Sequence, residues 1–89
     1  MSWKKNRVPY KLREEREKEL HELVYEHEGE LTIVQYEMYH FRIFRGNRCV
    51  DVWPSRKKYY ASWFKESKVY ENPREILSAF ADAPKVKMS

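Results

Sequence analysis

Tyr39-His40-Phe41-Arg42-Ile43-Phe44-Arg45-Gly46-Asn47-Arg48-Cys49-Val50-Asp51-Val52-Trp53 is the stretch that decides the fold. Two strand-like runs flank Gly46-Asn47. Glycine at the first of two central positions is what a type II′ hairpin turn needs, because that position takes a positive φ. A two-residue loop also sets the register: Arg45 faces Arg48, Phe44 faces Cys49, Ile43 faces Val50, Arg42 faces Asp51, Phe41 faces Val52 and His40 faces Trp53. This pairing sorts the side chains. Tyr39, Phe41 and Ile43 meet Val50 and Val52 on an apolar face, while His40, Arg42 and Phe44 stand beside Trp53, Asp51 and Cys49 on the other. A slip of one residue mixes both faces, so turn and register support each other.

Beyond the hairpin, Pro54 has no N–H for a ladder and ends the second strand, and Ser55-Arg56-Lys57 turns the chain. Residues 58–63 read as a third strand, although Tyr59, Tyr60, Trp63 and Phe64 also suit a helical turn. Lys65 to Glu71 is a polar connection with Val69 and Tyr70 tucked in. A C-terminal helix over 73–82 follows from Asn72 as N-cap, Pro73 at the first helical position and Glu75 reaching back, with Ile76, Leu77, Phe80 and Ala83 on one face and Pro84 as its end.

Upstream, Lys11 to Leu20 is rich in good helix formers, Pro9 suits a first turn, and Glu14 and Lys18 form a favourable i,i+4 pair. Leu20, Leu23, Val24 and His27 share a face, so the second half of this helix packs and the polar first half projects. A break near Gly29 is favoured. Spacings of 3 and 4 from Leu20 to Met38 also allow a helix running to about Gln35, and Leu31 to Tyr36 allow a strand. The expected fold is α+β: an N-terminal helix, a three-stranded antiparallel sheet built on the hairpin 39–53 and a strand near 58–63, and the C-terminal helix. Residues 1–8 form a basic flexible arm, 9–84 a single domain and 85–89 a short tail.

The 89 residues suffice for one domain, and 16% aromatic residues supply burial that disordered chains lack. No apolar run reaches the length of a membrane span, and the N-terminal residues lack a signal-peptide core, so no membrane contact and a cytoplasmic location are expected. Cys49 is the single cysteine, which excludes an intrachain disulfide. His21 and His27 are six apart, off a shared helical face, and Gly29 and Gly46 are the only glycines. Neither a metal site nor a phosphate-cradling loop is indicated, and no cofactor is expected.

Charge is distributed in blocks. Residues 1–18 carry seven Lys/Arg against three Glu, residues 19–41 carry six Glu and no Lys/Arg, and residues 42–58 carry six Lys/Arg against Asp51. The basic blocks suit an anionic partner. On the hairpin's non-core face, Arg42 and Asp51 form a cross-strand ion pair that fixes register, beside His40 and Trp53, which can stack on a ligand. Acid–base chemistry by His40 with Asp51 lacks an evident nucleophile or second carboxylate. The candidate partner-binding residues are His40, Arg42, Arg45, Arg48, Asp51, Trp53, Arg56, Lys57, Lys58 and Tyr59, in which cations for phosphates interleave with rings for bases.

His40-Phe41-Arg42, Gly46 and Val50-Asp51-Val52-Trp53-Pro54-Ser55 together resemble a pattern of small phage-encoded accessory proteins: a strand with His and Arg, a Gly turn, then Asp, an aromatic residue, Pro and Ser or Thr. The pattern spans about 20 residues. Arg56-Lys57-Lys58-Tyr59 stands where Thr-Gly-Lys-Trp often follows in those proteins. The resemblance implies a phage accessory protein acting on host machinery or host defence, in the host cytoplasm. The order helix, three strands, helix is also similar to that of double-stranded-RNA-binding domains, although no lysine cluster opens the second helix. The expected function is non-catalytic binding, to nucleic acid, or alternatively as an inhibitor or adaptor on an acidic host protein.

Overall fold

A computed structural model describes residues 10–83; the basic arm, Pro9, Pro84 and the tail lie outside them. Helix α1 (Tyr10–Glu26) leads into a five-stranded antiparallel sheet of β1 (Thr32–Glu37), β2 (His40–Arg45), β3 (Arg48–Trp53), β4 (Lys58–Ala61) and β5 (Lys68–Val69), and α2 (Ile76–Ala81) follows. The strands run in chain order across the sheet, so every connection is to a neighbour. The fold is α+β as expected, but with five strands instead of three. It therefore departs from the order of double-stranded-RNA-binding domains.

The central hairpin has the expected register from Arg45 opposite Arg48 to Phe41 opposite Val52. Gly46 has φ 63, and Asn47 is not among the described residues with positive φ, which is the signature of a type II′ turn. Phe41, Ile43, Val50 and Val52 are fully buried. They meet Leu20 of α1 and Ile76, Ala79 and Phe80 of α2 in one core, placing both helices on the same side of the sheet.

Tyr39 does not join that face. Glu37 pairs with His40, so Met38 and Tyr39 become the turn between β1 and β2, and Tyr39 is 42% exposed with the Arg13 guanidinium over its ring. The first half of α1 does not project either. Arg16 donates to the Ser55 carbonyl in the Pro54–Arg56 turn, and Arg13 pairs with Glu17 at 3.5 Å. Arg13, Arg16 and Glu17 are half-buried, so a polar stretch of helix still packs.

The helix stops at Glu26, and the chain leaves through Gly29 at φ 89. The strand reading of the following segment is the one realised. After β3, the Pro54–Arg56 turn closes on Lys57 in the left-handed region, φ 52 and ψ 46. This sends β4 back beside β3, with Val52 opposite Tyr59 and Asp51 opposite Tyr60. β4 ends at Ala61, short of Trp63, whose indole N–H instead reaches the Ala79 carbonyl at 3.1 Å. Lys68 and Val69 pair with Tyr59 and Lys58, turning part of the expected connection into an edge strand; Tyr70 is buried, whereas Val69 is 71% exposed. Burial pushes the Tyr70 hydroxyl up to about 12.

The C-terminal helix begins as a 3-10 turn, Pro73–Glu75, under a capping box. The Arg74 N–H donates to Asn72 Oδ1, and the Asn72 and Glu71 N–H groups both donate to Glu75 Oε2. These backbone donors hold Glu75 below the usual glutamate range.

Two outcomes test this fold. An added Cβ at Gly46 meets nothing within 4 Å, so Gly46→Ala acts through φ alone. It should destabilise by about 1–2 kcal/mol, with a lower urea midpoint and an unchanged denaturant slope. For Glu75, a lowered folded pKa means stability that is fully present above the unfolded value and lost as pH falls through the folded one. The stability difference between wild type and Glu75→Gln, followed by denaturation against pH, should therefore shrink on acidification through that range.

Candidate functional site

Because paired residues in a sheet point the same way, the register assigns the face opposite the helices. It carries Val34 from β1, His40, Arg42 and Phe44 from β2, Cys49, Asp51 and Trp53 from β3, Lys58 and Tyr60 from β4, and Val69 from β5. No described helix covers it. Val34, Tyr36, Lys58 and Val69 are exposed, and the other side chains named are half-buried by one another.

At its centre, one oxygen takes two donors. Asp51 Oδ1 receives His40 Nε2 at 2.8 Å and Arg42 Nε at 2.8 Å. An ionised carboxylate only accepts, so Nε2 carries the proton in either charge state of the imidazole. The same hydrogen bond raises the Arg42 pKa above its already high ordinary value. Asp51 is thus a negative charge answered from the neighbouring strand, and it orients two groups at once.

Rings complete the arrangement. The His40 imidazole stacks on Trp53 with centroids 4.5 Å apart and planes 13° from parallel, while Tyr36 meets His40 edge-on at 5.2 Å. Arg42 lies 4.1 Å from the Tyr36 ring centre. Tyr36 reaches this position through a β-bulge: Gln35 pairs with Phe41 and Glu37 with His40, leaving Tyr36 as the extra residue. Bulges re-aim side chains, and this one brings a ring over the face. Tyr36, Arg42, Asp51, His40 and Trp53 form one connected band across three strands.

The other candidates separate. Lys58 lies on the face, directly opposite Trp53, with Arg56 exposed in the adjoining turn and Lys57 in its left-handed position. Arg45 and Arg48 face each other at the hairpin end with the core-side parity, and Arg45 pairs with Glu30 before β1. The acidic block therefore meets part of the basic one. Tyr59 is 5% exposed and belongs to the core, so it offers no ring to a partner. Its neighbour Tyr60 takes the outward place. Tyr36 and Tyr60 are the rings missing from the candidate set; the alternation of Val34 with Tyr36 in the strand reading was the available signal for the first.

Burial pushes the Cys49 thiol up, with Asp51 acting in the same direction and Arg42 against it. That is the reverse of what activates a cysteine nucleophile. Among the described residues, no group of three or more His, Cys, Asp or Glu is placed to hold a metal ion. The chemistry on display is directed hydrogen bonding, cation contacts and stacking.

The central pair is open to test by a double-mutant cycle on Arg42→Ala and Asp51→Ala. The pair is partly exposed, its side chains 37% and 23% accessible, so solvent screens it. Urea denaturation should give a small favourable coupling that weakens in high salt.

No protein-family model, curated protein or solved structure matches this chain.

Proposed function

We propose that this chain is a small, non-catalytic binding protein that takes single-stranded nucleic acid on the open face of its sheet. The observation that carries this reading is the uncovered band of Tyr36, His40 and Trp53 rings set among Arg42, Lys58 and Arg56. Unpaired bases stack on aromatic side chains with little regard for sequence, and Lys and Arg balance their phosphates. In a duplex the base faces are occupied by their neighbours, so a surface of rings favours an unpaired strand. The helix layer contrasts with it. α1 carries four Lys/Arg against six Glu, whereas residues 42–58, from β2 to the start of β4, carry six Lys/Arg against Asp51.

The short His-x-Arg, Gly, Asp-x-Trp-Pro-Ser pattern supports a phage accessory role. Three of its residues, His40, Arg42 and Asp51, are the centre of the band, and Trp53 is its stacked end. In such a role the bound strand belongs to the host or to the phage genome, and the site of action is the host cytoplasm.

The reading predicts binding of a labelled single-stranded octamer at low salt, tighter than to a duplex of the same sequence, with affinity falling as salt rises. Fluorescence anisotropy over a salt series measures all three. Absence of binding at low salt contradicts it. A host protein that is captured equally before and after nuclease treatment, by a chain that ignores the octamer, establishes the inhibitor or adaptor role instead.

A further inference from the structure

Trp53, Arg56, Lys58, Tyr60 and Ser67 line a groove of about 340 Å³ at the β4 side of the ring band. We propose that it is a subsite for one nucleotide unit, with the base against Trp53 and Tyr60 and the phosphate against Arg56 and Lys58. The inference rests on the nucleic-acid reading and deepens it by naming where a strand is gripped.

Placement is the first argument. Trp53 is opposite Lys58 and Asp51 is opposite Tyr60, which makes Trp53 and Tyr60 diagonal neighbours on one face. Diagonal neighbours stand about 7–8 Å apart, and a flat ring packs about 3.5 Å from another. At that separation both rings stay within reach of one planar group lying in the groove they line. His40 comes from β2 and stacks on Trp53, while Tyr60 and Lys58 approach from β4, so the indole is braced on one side and meets the groove on the other. A ring held in place loses little freedom when a ligand stacks on it.

Charge and size are the second argument. Two cations and the hydroxyls of Tyr60 and Ser67 line the groove, and no carboxylate does. Such a lining selects an anion with a flat part, which is what a nucleoside monophosphate unit is. Its volume lies at the small end of the usual range for ligand pockets, about 300–1,000 Å³, which suits a single unit. A larger groove of about 670 Å³ runs beside α1, but Glu19, Glu22 and Glu26 outnumber Lys18 and Arg74 in its lining, which disfavours the same ligand. The αL turn at Lys57 is what gathers this site: it reverses the chain between Arg56 and Lys58 and so sets both beside Trp53.

The test uses a labelled single-stranded octamer over a salt series, and 5′-AMP, adenosine and inorganic phosphate as small probes followed by NMR. For the octamer, Arg56→Gln with Lys58→Gln, which frees the one phosphate held in the groove, should reduce the slope of log affinity against log salt by about 0.7. Tyr60→Ala should weaken binding about tenfold and leave that slope unchanged. Arg74→Gln, on the helix side and paired with Glu26, should alter neither. On the wild-type protein, 5′-AMP should shift the Trp53 indole and the amides of residues 56–60, with adenosine and phosphate each producing less.

An octamer that binds wild type and these groove variants alike, together with 5′-AMP shifts elsewhere or none, overturns the groove while the open-face reading stands. A pattern reproduced in full by phosphate alone also overturns it, since the groove is then an anion site only. If 5′-AMP fills the groove and the octamer does not bind, the subsite holds and the strand-binding reading falls. Should neither bind, both fall.

Discussion

Everything in this molecule depends on the turn at Gly46-Asn47. Gly46 at φ 63 lets two strands reverse over two residues, and a loop that short permits one register. The register then decides which side chains see water. Phe41, Ile43, Val50 and Val52 all fall on one side, where the helices cover them, and His40, Arg42, Asp51 and Trp53 all fall on the other. A core and a candidate binding face are thus two consequences of one backbone constraint.

The uncovered face is held together by its own contacts. Asp51 draws His40 and Arg42 to one oxygen, Trp53 stacks on His40, and Tyr36 rests against both His40 and Arg42. His40, Arg42, Asp51 and Trp53 are half-buried and hold one another in place, so little of their conformational freedom remains to be lost on contact with a ligand. The Arg42–Asp51 pair serves register as well as surface. A pair between neighbouring strands of a partly solvated sheet contributes only modestly to stability, which leaves orientation as its larger effect.

Much of this was legible in the sequence because period-2 alternation and a glycine turn are strong local signals. The hairpin register and the cross-strand pair followed from them, and the capping box from Asn72, Pro73 and Glu75. The parts that were not legible have physical reasons. Between Trp53 and Lys58 the chain passes through a 3-10 turn and a left-handed residue, and that irregular step resets which residues of β4 point outward; hence Tyr60, and not Tyr59, reaches the face. β1 was hidden because Leu31, Val34 and Met38 continue the helical spacing of α1, and β5 is two residues long, too short to show any period. The polar first turns of α1 pack through arginine stems and hydrogen bonds, which apolar patterning does not register.

On the proposed function, the two sides of the sheet have separate roles, one as core and one as contact surface. Two indole groups report on the two sides: Trp53 stands on the open face, while the Trp63 N–H is tied to the Ala79 carbonyl in the helix layer. An NMR titration of the indole N–H resonances with a single-stranded octamer tests the claim most directly. This division of roles predicts that the Trp53 resonance moves with saturation and the Trp63 resonance stays in place. Movement of Trp63 with Trp53 unchanged, or no movement of either at low salt, would contradict it.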